Sequence, residues 1–336
     1  MEQPCVRVPR ESGEATRRAL AADDLVDRGR EIVVEDGWLY LPVVDAAAVP
    51  DDYEVVDREV PRRERQRSPE DVLGWRPTYE RLGDVVLLDE DDPDRAREAA
   101  DAIVAADLPV RTVLNRASEV RGDLRVREWD VLVTDAAPPP EPDLAPTEAI
   151  HREYGHEFLL DVTEVYFSPR LATERHRVVE QAAPGERAFD MFAGVGPFAI
   201  PLAARGAEVV AVDLNERAVD YLRENARRNG VAERVTALRG DVRDVAADYP
   251  GWADRIVMNL PHSADAFLDT AVALAGDDCT LHYYDIQHED DPFGPGERAI
   301  RAAAGDAYDV DVENEQVVRS YAPHELNVCL DVRLVR

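Results

Sequence analysis

From Arg170 onward, beginning with the helix LATERHRVVEQAA, the chain alternates short apolar runs with segments of helical periodicity, and nothing else in its 336 residues constrains the fold as strongly. ERAFDMF, AEVVAVDL, VTALRGD, RIVMNLP and TLHYYDIQ read as strands. GPFAIPLAARG and NERAVDYLRENARRNG read as helices between them, the second ending on Gly230, which closes a helix without a Cβ clash. Strands joined through helices lie parallel, because the crossover needs that length of chain. The segment therefore predicts a mostly parallel, doubly wound sheet. DVDVENEQVVRSYAP and LNVCLDVRLV follow as a closing antiparallel pair. Such sheets hold ligands beyond the carboxyl ends of their strands, so the chemistry is sought there.

Four strand ends carry suitable residues. After the first, DMFAGVGPF places Gly194 and Gly196 at a strand-to-helix turn, where the backbone can bend tightly and approach a ligand. The third glycine of the dinucleotide fingerprint is missing, and such a turn alone serves structure as often as binding. Asp213 ends the second strand about twenty residues on, placed to accept from two ribose hydroxyls. Asp241 follows the third strand, in reach of an adenine amino group, and Asn259 and Pro261 follow the fourth. Any one carboxylate could instead cap a helix, and Asn259 could cap SADAFLDTAVAL; the four in order favour a nucleoside. Pro197 and Phe198 after the second glycine suit a ligand without phosphates. S-adenosylmethionine fits, with Asp190 facing its ammonium group. The Asn259 amide offers one acceptor group and two donors, which suits the edge of a nucleobase.

Ahead of this region lie two smaller α/β segments. VRVPRESGEATRRALAADDL predicts a strand and a helix with Ala15, Ala19 and Ala22 on its apolar face, and EIVVEDGWLYLPVV a hairpin around Asp36-Gly37. VPRRERQRSPEDV is polar and unpatterned, as a linker is. DVVLLD, VRTVLNR and LRVREWDVLV then read as strands around the helix DRAREAADAIVAA. The prolines of DAAPPPEPDLAPTEA forbid helix and ladder alike and mark an exposed insertion. HREYGHEFLLDVTEVYF resumes as a hairpin broken at Gly155. The expected domains are 1–62, 63–165 and 166–336.

The chain holds 70 Asp+Glu against 39 Lys+Arg, a net charge of -31, and it has no lysine, so all 39 are arginine. An acid excess normally disfavours a nucleic-acid partner. In molar salt, where the Debye length is about 3 Å, the same excess keeps a protein hydrated. The charge is therefore read as adaptation to a salty cytosol and excludes no partner. Cys5, Cys279 and Cys329 are too widely spaced for a disulfide framework or a zinc site. No run of 18 apolar residues and no signal-peptide core is present, so a cytoplasmic protein without membrane contact or metal is expected.

HREYG, YFSPRLATER, DMFAGVGPF, NLPHSADAFLD and VRSYAPHE closely resemble the archaeal and eukaryotic tRNA (guanine-37-N1)-methyltransferases, in order from His151 to Val335. CVRVPRESGEATRRAL and WLYLPV resemble the small N-terminal domain of the archaeal members, and the absence of lysine suits a haloarchaeal one. The resemblance implies a Rossmann-like methyltransferase domain with a mostly parallel seven-stranded sheet, preceded by two smaller α/β domains. It implies transfer of a methyl group from S-adenosylmethionine to N1 of guanosine 37 in tRNA, by a monomer. Glu174 then takes the N1 proton, Arg125 rather than Arg127 holds the guanine O6, and Asn259 and Pro261 complete the catalytic set. Both arginines are expected on one face of a strand, with Tyr166 and Phe167 shaping the pocket or filling the core. Arg175, Asp190, Phe192, Gly194, Gly196, Asp213, Leu214, Asn215, Asp241 and Asn259 form the expected cofactor set. Without the resemblance, adjacent Glu174 and Arg175 read more simply as a surface ion pair. The rival readings are a wybutosine-pathway aminocarboxypropyl transferase of the same fold and a non-catalytic RNA-binding protein.

Overall fold

The computed structural model describes residues 2–62, 67–119, 122 and 124–336; most of the arginine-rich part of the expected linker lies outside them. The chain divides into two compact units, Met1–Val72 and Leu73–Arg336. In the first, strands β1 (Glu2–Pro9), β2 (Val33–Glu35), β3 (Trp38–Pro42) and β4 (Glu54–Glu59) form one sheet in the order β2-β3-β1-β4. The β2–β3 turn is the expected Asp36-Gly37 pair, both at positive φ, as a tight hairpin demands. Helix α1 (Gly13–Ala22) buries Gly13, Thr16 and Leu20 rather than Ala15, Ala19 and Ala22. Leu20 carries far more apolar area than any alanine, and it sets the buried face. The division at Val72 falls within the short helix α2 (Pro69–Leu73).

The second unit opens with the sheet β5 (Tyr79–Leu82), β6 (Val85–Leu88), β7 (Thr112–Arg116) and β8 (Trp129–Val133), carrying helix α3 (Pro93–Ala105). The hairpin β9 (Glu148–Glu153) and β10 (His156–Asp161) follows, its turn made by Tyr154 and Gly155 at positive φ. The proline-rich insertion before it is irregular but tethered. Glu141 accepts two bonds from Arg228 at 2.9 and 2.8 Å, and the Ala145 carbonyl accepts from the buried Arg111. Leu82, Leu114, Phe158 and Leu160 pack in the same core as Val195 and Leu222. The sequence division at 165/166 thus falls within a continuous core.

The remaining elements are α4 (Ala172–Glu180), β11 (Arg187–Asp190), α5 (Ala199–Ala204), β12 (Glu208–Asp213), α6 (Glu216–Arg228), β13 (Val235–Arg239), α7 (Val242–Val245), β14 (Ala253–Met258), α8 (Leu268–Leu274), β15 (Ala275–His288), α9 (Gly294–Ala304), β16 (Asp309–Ala322) and β17 (Glu325–Val335). They build one seven-stranded sheet in the order β13-β12-β11-β14-β15-β17-β16. β11 to β15 pair in parallel, and β17 runs antiparallel to both β15 and β16. The strand order reverses between β11 and β14, which opens a crevice beyond their carboxyl ends. Helix α6 buries Ala218, Val219, Tyr221, Leu222, Asn225 and Ala226, one stripe at helical spacing. From that stripe the wholly buried Asn225 bonds both backbone groups of Leu159 and the Val195 carbonyl, which ties the hairpin to the glycine turn.

Candidate active site

Asp190 closes β11 at the switch point. It is 1% exposed, and neither carboxyl oxygen has a well-formed hydrogen bond. Burial pushes its pKa up to about 7; the Phe192 backbone N–H partly offsets this and the Asp213 charge adds to it. A buried carboxyl with no partner costs free energy that a cationic ligand group would recover. The adjoining glycine turn is equally ready for a ligand, since a Cβ on Gly194 would meet only the Tyr166 carbonyl, at 4.0 Å. Gly196 differs: at φ +92 its Cβ would lie 2.4 Å from Leu222 and 3.0 Å from Ile200. Gly196→Ala is expected to destabilise the unit by about 2–3 kcal/mol, against about 1 kcal/mol for Gly194→Ala. Thermal denaturation of the two variants checks the difference.

The Asp213 carboxylate accepts from the backbone N–H of Gly194 at 2.7 Å and of Asn215 at 2.8 Å, with the Leu214 N–H adding to them, and its remaining acceptor capacity suits a ribose hydroxyl. Beside it Leu214 is 47% exposed, an apolar surface on which a flat base can lie. Phe192 packs edge-on against Phe267. Two expected cofactor residues are otherwise engaged. The Asn215 side chain caps α6 by accepting from the Arg217 N–H and donates to the Glu164 carbonyl. Asp241 caps α7 and pairs with Arg243, which holds its carboxyl below the usual range. An adenine amino group there would have to compete with a guanidinium.

Asn259 and Pro261 follow β14, both half-buried. The Asn259 side chain makes no hydrogen bond among the described residues, and the helical segment beyond begins at Ala264, so it is not a cap. Its amide is free at the strand end. Arg125, Arg127, Arg170 and Arg319 line a cleft of about 160 Å³ together with Tyr166 and Phe167. The Arg125 guanidinium lies 5.5 Å from the Tyr166 ring centroid. It does not come from a strand. Arg125 sits in a turn at φ +55, donating to the Gly122 carbonyl, and β8 begins only at Trp129.

Glu174 is buried on α4. Its Oε2 accepts from Arg177 Nε at 2.8 Å; its Oε1 accepts from Arg177 Nη2 at 2.7 Å and from the Tyr284 hydroxyl at 2.9 Å. A carboxylate has four lone-pair directions, so one remains, on Oε2. Arg175 points elsewhere. Its guanidinium makes a two-pronged pair with buried Glu153, donates to the Ser168 carbonyl and lies 5.0 Å from the Phe167 ring centroid. These contacts brace the cleft wall, and none is with the glycine turn. The HREYG motif, with no role assigned from sequence, supplies Glu153 to that brace.

Sequence reasoning also missed what lies behind Glu174. Arg177 bonds both oxygens of buried Asp331, which also accept from His282, Gln181 and Asn314. Burial alone would raise the Asp331 carboxyl; hydrogen bonds from His282 and Arg177 hold it well below the usual range. Burial keeps His282 neutral, its Nδ1–H donating to Asp331 while Nε2 accepts from Arg255. His282, Cys329 and Asp331 have metal-ligand chemistry and lie close together. With two guanidinium groups already filling Asp331 and His282, the cluster reads as an ionic network.

This fold, with a glycine turn and acidic residues at its first two strand ends, defines an S-adenosylmethionine-dependent, Rossmann-like methyltransferase domain. Comparison with known proteins narrows the class. Residues 149–313 match the TRM5/TYW2 methyltransferase domain, and residues 5–51 match the tRNA methyltransferase 5 N-terminal domain. The tRNA (guanine(37)-N(1))-methyltransferase Trm5b of Pyrococcus abyssi is 36% identical over 341 residues, 98% of each chain. The crystal structure of Trm5b from that organism has a TM-score of 0.70, covering 99% of this chain and 100% of its own. A complex of aTrm5 with tRNALeu also scores 0.70, at 29% identity, covering 99% of each chain. The tRNA(Phe) (4-demethylwyosine(37)-C(7)) aminocarboxypropyltransferase of Pyrococcus horikoshii is 33% identical over 276 residues, 80% of this chain and 93% of its own. The chain belongs to the TRM5/TYW2 family, S-adenosylmethionine-dependent enzymes that act on tRNA.

Proposed function

We propose that this chain methylates N1 of guanosine 37 in tRNA, beside the anticodon, with Glu174 as the base. The span of the likeness carries this reading. It runs over 98% of the chain with the guanine-37 enzyme and includes the matching N-terminal domain, but over 80% with the aminocarboxypropyl transferase. In the first unit, Arg7 lies over Trp38 at 3.9 Å and Arg58 over Tyr40 at 4.0 Å, a face of stacked arginines whose carboxylate partners Glu54 and Glu35 an RNA phosphate would displace. That face supports recognition of tRNA shape by residues 1–62, with residues 63–165 as a second RNA-binding domain. The protein acts as a monomer. The lysine-free acid excess supports a salt-adapted archaeal cytoplasm as its setting.

When bound, S-adenosylmethionine supplies an electrophilic methyl group on a cationic sulfur. Asp190 would hold its ammonium group and Asp213 its ribose, with Leu214 and Phe192 beside the base. Guanine N1 carries a proton at neutral pH, so a base must remove it as the methyl is attacked. The remaining lone pair on Glu174 Oε2 is suited to that proton. The Asn259 amide meets the base edge, and Arg125, braced on Tyr166, neutralises charge developing at O6. The target base has to leave its stack to enter the cleft.

The test is label transfer in molar KCl to unmodified tRNA transcripts carrying guanosine or adenosine at position 37. Methyl label entering the guanosine transcript alone, as N1-methylguanosine, is the expected result. Equal labelling of both transcripts would move the target elsewhere. Transfer of carboxyl label instead of methyl label would identify an aminocarboxypropyl transferase. No transfer, with cofactor still bound, would leave a non-catalytic RNA binder.

A further inference from the structure

We infer that Asp331 is a positioning residue, the second counter-ion that keeps Arg177 neutralised while Glu174 carries a proton. This rests on Glu174 being the base. A buried carboxylate paired with one arginine is a poor base, because protonating it strands a buried guanidinium. Arg177 avoids this by dividing its donors. Nε and Nη2 reach Glu174, and Nη1 and Nη2 reach Asp331. When guanine N1–H gives its proton to Glu174 Oε2, the N1 lone pair forms the bond to the methyl carbon and the carbon–sulfur bond breaks, leaving a neutral thioether. Glu174 becomes neutral, and the Arg177–Asp331 pair stays complete.

The surroundings fit that division of labour. Facing Glu174 are Arg177 on its own helix, Tyr284 on β15, and Cys329 and Asp331 on β17, with His282 behind Asp331. Burial holds the Tyr284 hydroxyl and the Cys329 thiol protonated. His282 is neutral and held by Arg255, which is itself paired with Glu186 at 2.8 Å. Apart from Glu174, Asp331 is thus the one anion bonded to Arg177 among the described residues. Asp331 also accepts from His282, Gln181 and Asn314, and the bonds from His282 and Arg177 hold its carboxyl well below the usual range.

The experiment is single-turnover transfer to the guanosine-37 transcript as a function of pH, for the wild type, Asp331→Asn, Asp331→Glu, Arg177→Gln and Glu174→Gln. With Asp331 neutral, Arg177 bears on Glu174 alone and holds its proton off. The plateau rate of Asp331→Asn then falls about tenfold or more, and the acid limb moves to lower pH by about one unit. Asp331→Glu keeps the charge and restores the limb, and cofactor affinity stays within about twofold of wild type in both variants. A merely structural loss lowers the rate without moving the limb. Arg177→Gln moves the limb the opposite way, to higher pH, and this arm decides if Asp331→Asn does not fold: an unmoved limb there overturns the proposal. An unmoved limb in folded Asp331→Asn overturns it as well, provided Glu174→Gln has lost its rate. Wild-type turnover by Glu174→Gln would instead remove the base assignment itself.

Discussion

Glu174→Gln is expected to slow single-turnover methyl transfer by about 10²–10⁴-fold, the range supplied by a positioned general base, with cofactor affinity unchanged. Glutamine matches glutamate in shape and keeps an oxygen to accept from the Tyr284 hydroxyl, so the side chain stays in place. Arg177 loses one anionic partner but retains Asp331 through two bonds, so no guanidinium is stranded. The stability cost is therefore about 1 kcal/mol, a fall in thermal midpoint of roughly 2–4 °C for a unit of this size. Rapid-quench measurement with methyl-labelled donor reads the rate, and calorimetric titration reads cofactor affinity. A rate within about threefold of wild type would remove Glu174 from the chemistry. A rate lost together with affinity and midpoint would make it a residue of the fold.

The elements that carry the cofactor cradle were readable because their signals are local. Buried parallel strands are nearly continuous apolar runs, and Gly194 and Gly196 mark the turn after β11 through backbone conformations that few residues adopt. The misread residues depend on partners far along the chain. LRVREWDVL alternates as a strand does, yet β8 starts only at Trp129, whose indole N–H donates to the Val162 carbonyl at 3.0 Å. Arg125 precedes that anchor and turns away at positive φ. Without the resemblance, adjacent Glu174 and Arg175 read as a surface ion pair. Successive residues on a helix, however, point about 100° apart, so Glu174 turns toward Tyr284 on β15 and Arg175 toward Glu153 on β9. Asp331 and His282 show in the sequence only as polar residues inside apolar strands; Asp331 lies 154 positions from Arg177 and 49 from His282. Nothing local distinguishes such a residue from one that faces solvent.

Asp190→Asn is expected to weaken S-adenosylmethionine binding about 10–100-fold and to abolish its pH dependence below neutrality. In the free protein, burial raises the Asp190 carboxyl to about 7, so near that pH it is only part ionised. A cationic ammonium group at the turn favours the ionised form. Binding therefore releases a proton at pH 6, and affinity rises with pH until the free carboxyl is ionised, levelling off somewhat above 7. Stability of the free protein runs the other way. A carboxyl whose folded pKa lies above its unfolded value of 3.8 binds its proton more tightly when folded. That contribution favours the fold below the unfolded pKa and is lost as the pH rises from about 4 to 7. Asparagine cannot ionise, so the variant loses the proton release and the ammonium contact together. Its free form also gains stability relative to wild type above pH 7, where the wild type buries an unpaired charge. Calorimetric titrations at pH 6 and pH 8, in buffers of different ionisation enthalpy, measure the released proton directly. Proton release retained by Asp190→Asn would assign the titrating group to Asp213, whose carboxyl burial also raises. Unchanged affinity would place the ammonium group away from Asp190.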